Sequence, residues 1–300
     1  MDAPNAPDAE DAQPSGQRLL PLEDGRFVLS RRLSWLWEKS SEDAQTPLFA
    51  RQAAFRARET TRLTLLEQTA REWSDAQTGI APCRIQCDAK GISVCSVLPE
   101  GPLLTLGQLC RLYDSPFLLD ARMVDLLLIA NTLHDSGWIL GLISEDRFCV
   151  QATPSGGQAW MVDLSSAMPL CNLPAPGDIR ADDAAKALLS PELAQYMVSA
   201  SNDERETAEG WIGPASDIFA LGLMYHLILT GRLPALQDGS GGSFADAVCF
   251  ADNPQRAIAL DPGLDERHSR LIYEMLTANP LNRLASCGVI AGRILDFYTA

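Results

Sequence analysis

The stretch Ser216–Gly231 constrains the fold more than any other. It is strongly apolar, with Ile218, Phe219, Leu221, Leu223, Met224, Leu227, Ile228 and Leu229 spread around a helix rather than along one stripe. A helix that is apolar on all sides must be enclosed by other elements. Polar residues interrupt it and it is too short to span a bilayer, as is the apolar run at 125–133. The chain must therefore build a helical body thick enough to surround this element. Its 300 residues and 46% hydrophobic content suffice for one large domain or two joined lobes with substantial cores.

What precedes that body reads differently. Residues 1–18 form an acidic tail rich in Pro and Ala, with the composition of a disordered segment. Arg26–Leu29 reads as a strand, Trp35–Trp37 as the start of a second and Thr46–Ala50 as a third. Phe55–Trp73 reads as a helix, because Leu63, Leu66, Ala70 and Trp73 recur at helical spacing. Pro82–Cys87 and Gly91–Leu98 read as a hairpin turning at Asp88–Gly91. After Pro99-Glu100-Gly101-Pro102 the pattern becomes mostly helical: Leu103–Tyr113, Leu118–His134 stopped by Gly137, Ser216–Gly231, Leu271–Leu276 and Ser286–Tyr298. A short hairpin, Arg147–Ala152 with Ala159–Val162, interrupts the helices. Met168–Ala185 reads as a loop.

Charge and cysteine usage narrow the partners. The formal net charge is -15, which gives no electrostatic reason to bind nucleic acid or an anionic membrane surface. Lysine occurs only at Lys39, Lys90 and Lys186; the other basic side chains are arginine. The 8 cysteines sit mostly in apolar runs without CxxC spacing, so they read as reduced core residues and no metal site is expected. The N-terminus has no basic region followed by an apolar one, so no signal peptide is expected, and the reading is cytoplasmic.

Several strings, in order, resemble the protein kinase superfamily over roughly residues 90–298. Leu133-His134-Asp135-Ser136-Gly137 resembles the helix end before the kinase catalytic loop. Met161-Val162-Asp163-Leu164-Ser165 resembles the metal-binding Asp-Phe-Gly segment. Ser190-Pro191-Glu192 resembles the Ala-Pro-Glu motif, Ser216–Gly222 the start of the central helix, and Met275–Arg283 the late segment whose arginine pairs with the motif's glutamate. Asp24–Phe27 resembles a common start of the first kinase strand. The resemblance implies an α+β, two-lobed protein-kinase-like fold: a small antiparallel β lobe with one helix at 19–98 and a larger, mainly helical lobe at 99–300. The arginine bias is compatible with a GC-rich bacterial source.

Phosphoryl transfer needs a small set of charges placed around ATP, and here the resemblance implies their loss. The stretch matching the glycine-rich loop, Ser34–Trp37, has no glycine. The strand lysine falls on Arg51, with Glu67 as its expected helix partner; an arginine is no simple replacement there. Pro99 falls where the hinge would offer a backbone N–H to adenine, and proline has none. The general-base aspartate becomes Leu142 and the metal-binding asparagine becomes Arg147. Asp163 is kept. The supports are kept as well: Asp217 should accept backbone amides of the degenerate loop, and Glu192 should pair with Arg283. The expectation is a catalytically inactive pseudokinase with no bound ATP, no metal and a protein partner, serving as a regulatory or scaffolding module. The alternative is a divergent nucleotide-binding transferase or an ATP-sensing pseudokinase using Asp163 and Arg147, with Arg51 and Glu67 as further nucleotide contacts. The Met168–Leu189 segment and the acidic Asp203–Gly210 stretch are the candidate contact surfaces.

Overall fold

A computed structural model describes residues 17–21, 27–32, 47–75, 78–88, 91–112, 115–152, 157–175, 179, 181, 183–199, 202–236 and 258–299. The fold is mixed α+β, with small antiparallel sheets and a larger number of helices. Strands β1 (Gln17–Pro21), β2 (Phe27–Arg32), β3 (Cys83–Asp88) and β4 (Gly91–Val97) form one sheet in the order β1-β2-β4-β3. Leu19 lies opposite Leu29, Leu29 opposite Ser96, and Ser96 opposite Cys83.

Helix α1 (Pro47–Asp75) follows β2 in the chain. Its buried stripe is the one read from spacing: Leu63, Leu66, Ala70 and Trp73, which join Ile92 and Val94 of β4 in one apolar cluster. The helix starts earlier than its apolar stripe. Thr46–Ala50, expected as a strand, is instead its first turn from Pro47 onward. The reason is local: proline presets the first helical φ, and the residues after it are mostly good helix formers. β1 also begins inside the stretch expected to be a tail. The strand expected at Trp35–Trp37 lies outside the described residues.

Beyond residue 98 the chain runs through β5 (Leu103–Thr105), α2 (Leu106–Leu112), α3 (Pro116–Asp135), β6 (Trp138–Ile139), β7 (Phe148–Gln151), β8 (Gln158–Met161) and β9 (Met168–Pro169). β5, β7 and β8 form a three-stranded sheet, and β6 pairs with β9. Then come α4 (Asp183–Lys186), α5 (Pro191–Val198), α6 (Asn202–Glu209), α7 (Pro214–Thr230), β10 (Ala235–Leu236), β11 (Ile258–Ala259), α8 (Glu266–Met275) and α9 (Cys287–Asp296). Helix α7 is enclosed as its composition requires: Phe219, Leu221, Leu223, Met224 and Tyr225 are fully buried. Gly222 lets α8 come close, since a Cβ there would lie 2.9 Å from Met275 Cβ.

The four-stranded sheet and the helical region share one apolar core, reaching from Leu63 to Ile294. Backbone also joins them. Met161 N–H donates to Gly79 at 2.8 Å and Ala81 N–H to Met161 at 2.9 Å, so the segment after α1 lies parallel to the end of β8. Trp73 meets Trp138 edge to face and donates to Ser136 Oγ at 2.9 Å. No helix among the described residues is long and apolar enough to cross a membrane.

Candidate functional site

The site is assembled from α1, the 140–147 loop and the turn after β8. The loop is held from below. Asp217, in the first turn of α7 and fully buried, accepts from Leu140 N–H at 2.7 Å and Gly141 N–H at 3.1 Å. His134 Nε2 lies 2.8 Å from the same carboxylate. A buried carboxylate without such donors would be strongly disfavoured, so the loop and α7 specify each other. Gly141 is required at its place: its φ is +72°, and a Cβ would come within 2.7 Å of Ser166 O. Ser166 Oγ in turn donates to Leu140 O at 3.0 Å and Leu142 O at 2.8 Å.

Leu142 is buried in a second apolar cluster with Ile139, Met168, Ile179 and Leu189. It is a packing residue and has no group that could take a proton. Two acids stand nearby in the chain. Glu145 stands in the 3-10 turn Glu145–Arg147 and faces α2, with Oε2 only 3.1 Å from where a Cβ on Gly107 would be. Burial first, then Asp146, pushes its carboxyl above the usual range. Asp146 accepts from Ser144 Oγ.

Arg147 and Asp163 are brought together in the interior. Arg147 is 3% and Asp163 1% exposed, which decides that neither faces solvent. Arg147 Nη1 reaches Asp163 Oδ2 at 3.1 Å and Ser165 Oγ at 3.2 Å. Asp163 Oδ1 accepts from Ser165 N–H at 2.8 Å. The carboxylate that a divalent cation would need is thus already met by a fixed positive charge. A cation at that oxygen would have to displace the guanidinium or stand beside it against charge repulsion. These residues do not fit a magnesium ion as they stand.

Arg51 and Glu67 are not brought together. Both lie on α1, sixteen positions apart, or roughly 24 Å along a helix at about 1.5 Å per residue. β4 is flanked by β2 and β3, and Arg51 lies in α1, so the assignment of Arg51 to a strand is corrected. Glu67 accepts from Ile85 N–H at 3.2 Å and pairs with Arg71, fastening α1 to β3. The buried carboxylate of α1 is Glu59, which sequence reasoning missed. Its signal was available: Glu59 precedes Leu63 by one helical turn and so shares its face. Glu59 holds Arg62 through Nε at 3.1 Å and Nη2 at 2.6 Å. Arg62 then reaches the Ser165 and Ala167 carbonyls at 2.9 and 2.5 Å.

Glu192 and Arg283 are brought together. Arg283 Nη1 and Nη2 donate to the two oxygens of Glu192, the second at 2.8 Å. The other guanidinium protons go to Ala215 O, Thr277 O and Ala278 O. The Arg283 guanidinium carbon lies 4.9 Å from the centre of the Phe219 ring. Cys83 and Cys149 near the site have thiols pushed up to about 12, chiefly by burial, so both stay protonated near neutral pH. Pro99 is half-buried, and the glycine-rich-loop match at Ser34–Trp37 lies outside the described residues. No protein-family model and no curated protein matches this chain.

Proposed function

We propose that the chain is a pseudokinase: a two-lobed, protein-kinase-like protein that has lost phosphoryl transfer and acts in the cytoplasm by binding a protein partner. In this reading the β1–β4 sheet with α1 is the small lobe and the helical region is the large one. The observation that carries it is the Arg147–Asp163 pair. A catalytic site of this type needs a carboxylate free to hold metal on the phosphates and an acid to orient the attacking hydroxyl. Asp163 faces a guanidinium, and Leu142 lies in the core at the place of the acid. Asp217, Glu192 and Arg283 support the same reading from the other side, because they fix the loop and the segment after it without taking part in chemistry.

The test is a thermal-shift titration of the purified chain with ATP, with and without magnesium or manganese. A ligand that binds only the folded state raises Tm by mass action, by about 2.7 kcal/mol of added stability at a hundredfold excess over Kd. The expected result is no shift at millimolar nucleotide. A clear shift would overturn the closed-site reading. Asp163→Ala and Arg147→Ala would then separate an ATP sensor, which binds without turnover, from a divergent transferase that hydrolyses or transfers phosphate.

A further inference from the structure

Helices that flank a ligand cleft are commonly free to swing until the ligand holds them. Helix α1 has its own fastener. Arg62 Nη1 donates to Ala167 O at 2.5 Å and Nη2 to Ser165 O at 2.9 Å, across more than a hundred residues of chain. Glu59 fixes the same guanidinium from within the helix, accepting from both Nε and Nη2. Side chains of both are 10% exposed, so the contact is sheltered from solvent screening. The carbonyls it grips flank Ser166, whose hydroxyl donates to Leu140 O and Leu142 O. That loop is held by Asp217. A chain of contacts therefore runs from α1 through the 165–167 turn and the 140–142 loop to the central helix.

We propose that Arg62 is a built-in clamp that holds α1 closed on the 163–167 turn without any ligand, so that the surface spanning α1 and this turn is permanently formed. The proposal needs only the contacts of Arg62 and stands whether or not the kinase-like reading holds. An arginine suits this place: a planar guanidinium can meet a carboxylate and two carbonyls together, whereas an ammonium meets them as a point charge with three donors.

The experiment is hydrogen–deuterium exchange on the full chain, comparing wild type, Arg62→Ala, Arg62→Lys and Glu59→Gln. The expected result for Arg62→Ala is at least tenfold faster exchange in peptides covering both 57–66 and 163–168. Peptides from 218–228 should be unchanged. Arg62→Lys should restore part of the protection, and Glu59→Gln should loosen both segments to a smaller degree. Unchanged exchange in Arg62→Ala, or faster exchange in α1 alone, would overturn the clamp. Should Arg62→Ala fail to fold, Glu59→Gln carries the test: protection lost in α1 but kept at 163–168 would overturn it equally. Nucleotide titration of the wild type addresses the pseudokinase reading separately, so failure of one leaves the other standing.

Discussion

The molecule buries an arginine against a carboxylate in two regions, and the two pairs are built differently. Arg283 meets Glu192 with both terminal nitrogens, spends its remaining donors on three backbone carbonyls and lies over the Phe219 ring. That is a joint: the flat fork of the side chain is matched group by group, and it ties α5, the entry to α7 and the turn after α8 together. Arg147 instead turns one nitrogen toward both Asp163 and Ser165, at 3.1 and 3.2 Å. This pair joins the 145–147 turn to the segment after β8 and sets a positive charge beside the carboxylate. A buried ion pair is weak evidence of net stabilisation, because desolvation offsets much of the attraction. The first pair ties three segments of the helical region together, and the second sets a guanidinium against the Asp163 carboxylate.

The comparison breaks most visibly at Arg283. Arg283→Ala strands Glu192 in the interior, and the expected loss is about 3–5 kcal/mol in chemical denaturation. Arg283→Lys should recover little of it, because an ammonium has three donors where the site presents five acceptor contacts. At Arg147 the alanine variant should cost about 3 kcal/mol for the same reason, an unpaired buried carboxylate. The lysine variant should recover more of it than at Arg283, since an ammonium can still oppose Asp163 whereas the two-pronged match to Glu192 needs the guanidinium. Equal losses for the two lysine variants would show that both pairs are joints, and the distinction drawn between them would fall.

Sequence alone carried the helical region further than the sheet. The all-round apolar pattern of Ser216–Gly231 leaves one physical option, enclosure, and α7 is enclosed. Leu63, Leu66, Ala70 and Trp73 marked the buried face of α1 because a regular period survives whatever packs on it. The start of that helix was misread because short apolar-polar stretches such as Thr46–Ala50 fit a strand and a helix equally well, and Pro47 decides between them. Helices α5 and α6 were passed over although α5 carries its start signal: Ser190 Oγ accepts from Leu193 N–H, with Pro191 at the first helical position. In the site, Asp217 was expected to accept amides of the 140–147 loop and Glu192 to meet Arg283, and the structure has both contacts. Arg62 gave no such signal, because two of the groups it grips are backbone. The carbonyls of Ser165 and Ala167 have no residue identity, so no pattern in the chain announces that an arginine a hundred positions away will reach them.

A smaller effect sharpens the contrast by supplying a buried ionisable group that the fold holds neutral rather than charged. His226 on α7 is buried, its Nδ1 lies 2.7 Å from Arg232 O, and its Nε2 accepts from Asp261 N–H at 3.1 Å. An acceptor nitrogen is an unprotonated one, so this histidine is held neutral, with its proton on Nδ1. Its pKa lies below the ordinary 6.5, chiefly because burial disfavours the cation; the Arg232 carbonyl and Asp261 pull the other way. The sign follows from linkage. Between the ordinary and the lowered value the unfolded chain binds the proton and the folded one does not, so stability rises with pH there. The contribution is complete above the ordinary value and is lost as pH falls from it toward the folded one. Denaturation curves at stepped pH should therefore show wild type losing stability on acidification relative to His226→Gln, which cannot take up the proton. The two arginine pairs do not lose their positive partner in that range. A difference curve that is flat below the ordinary histidine value would mean that the folded chain accepts the proton at His226, and Asp261 N–H could then no longer be its donor.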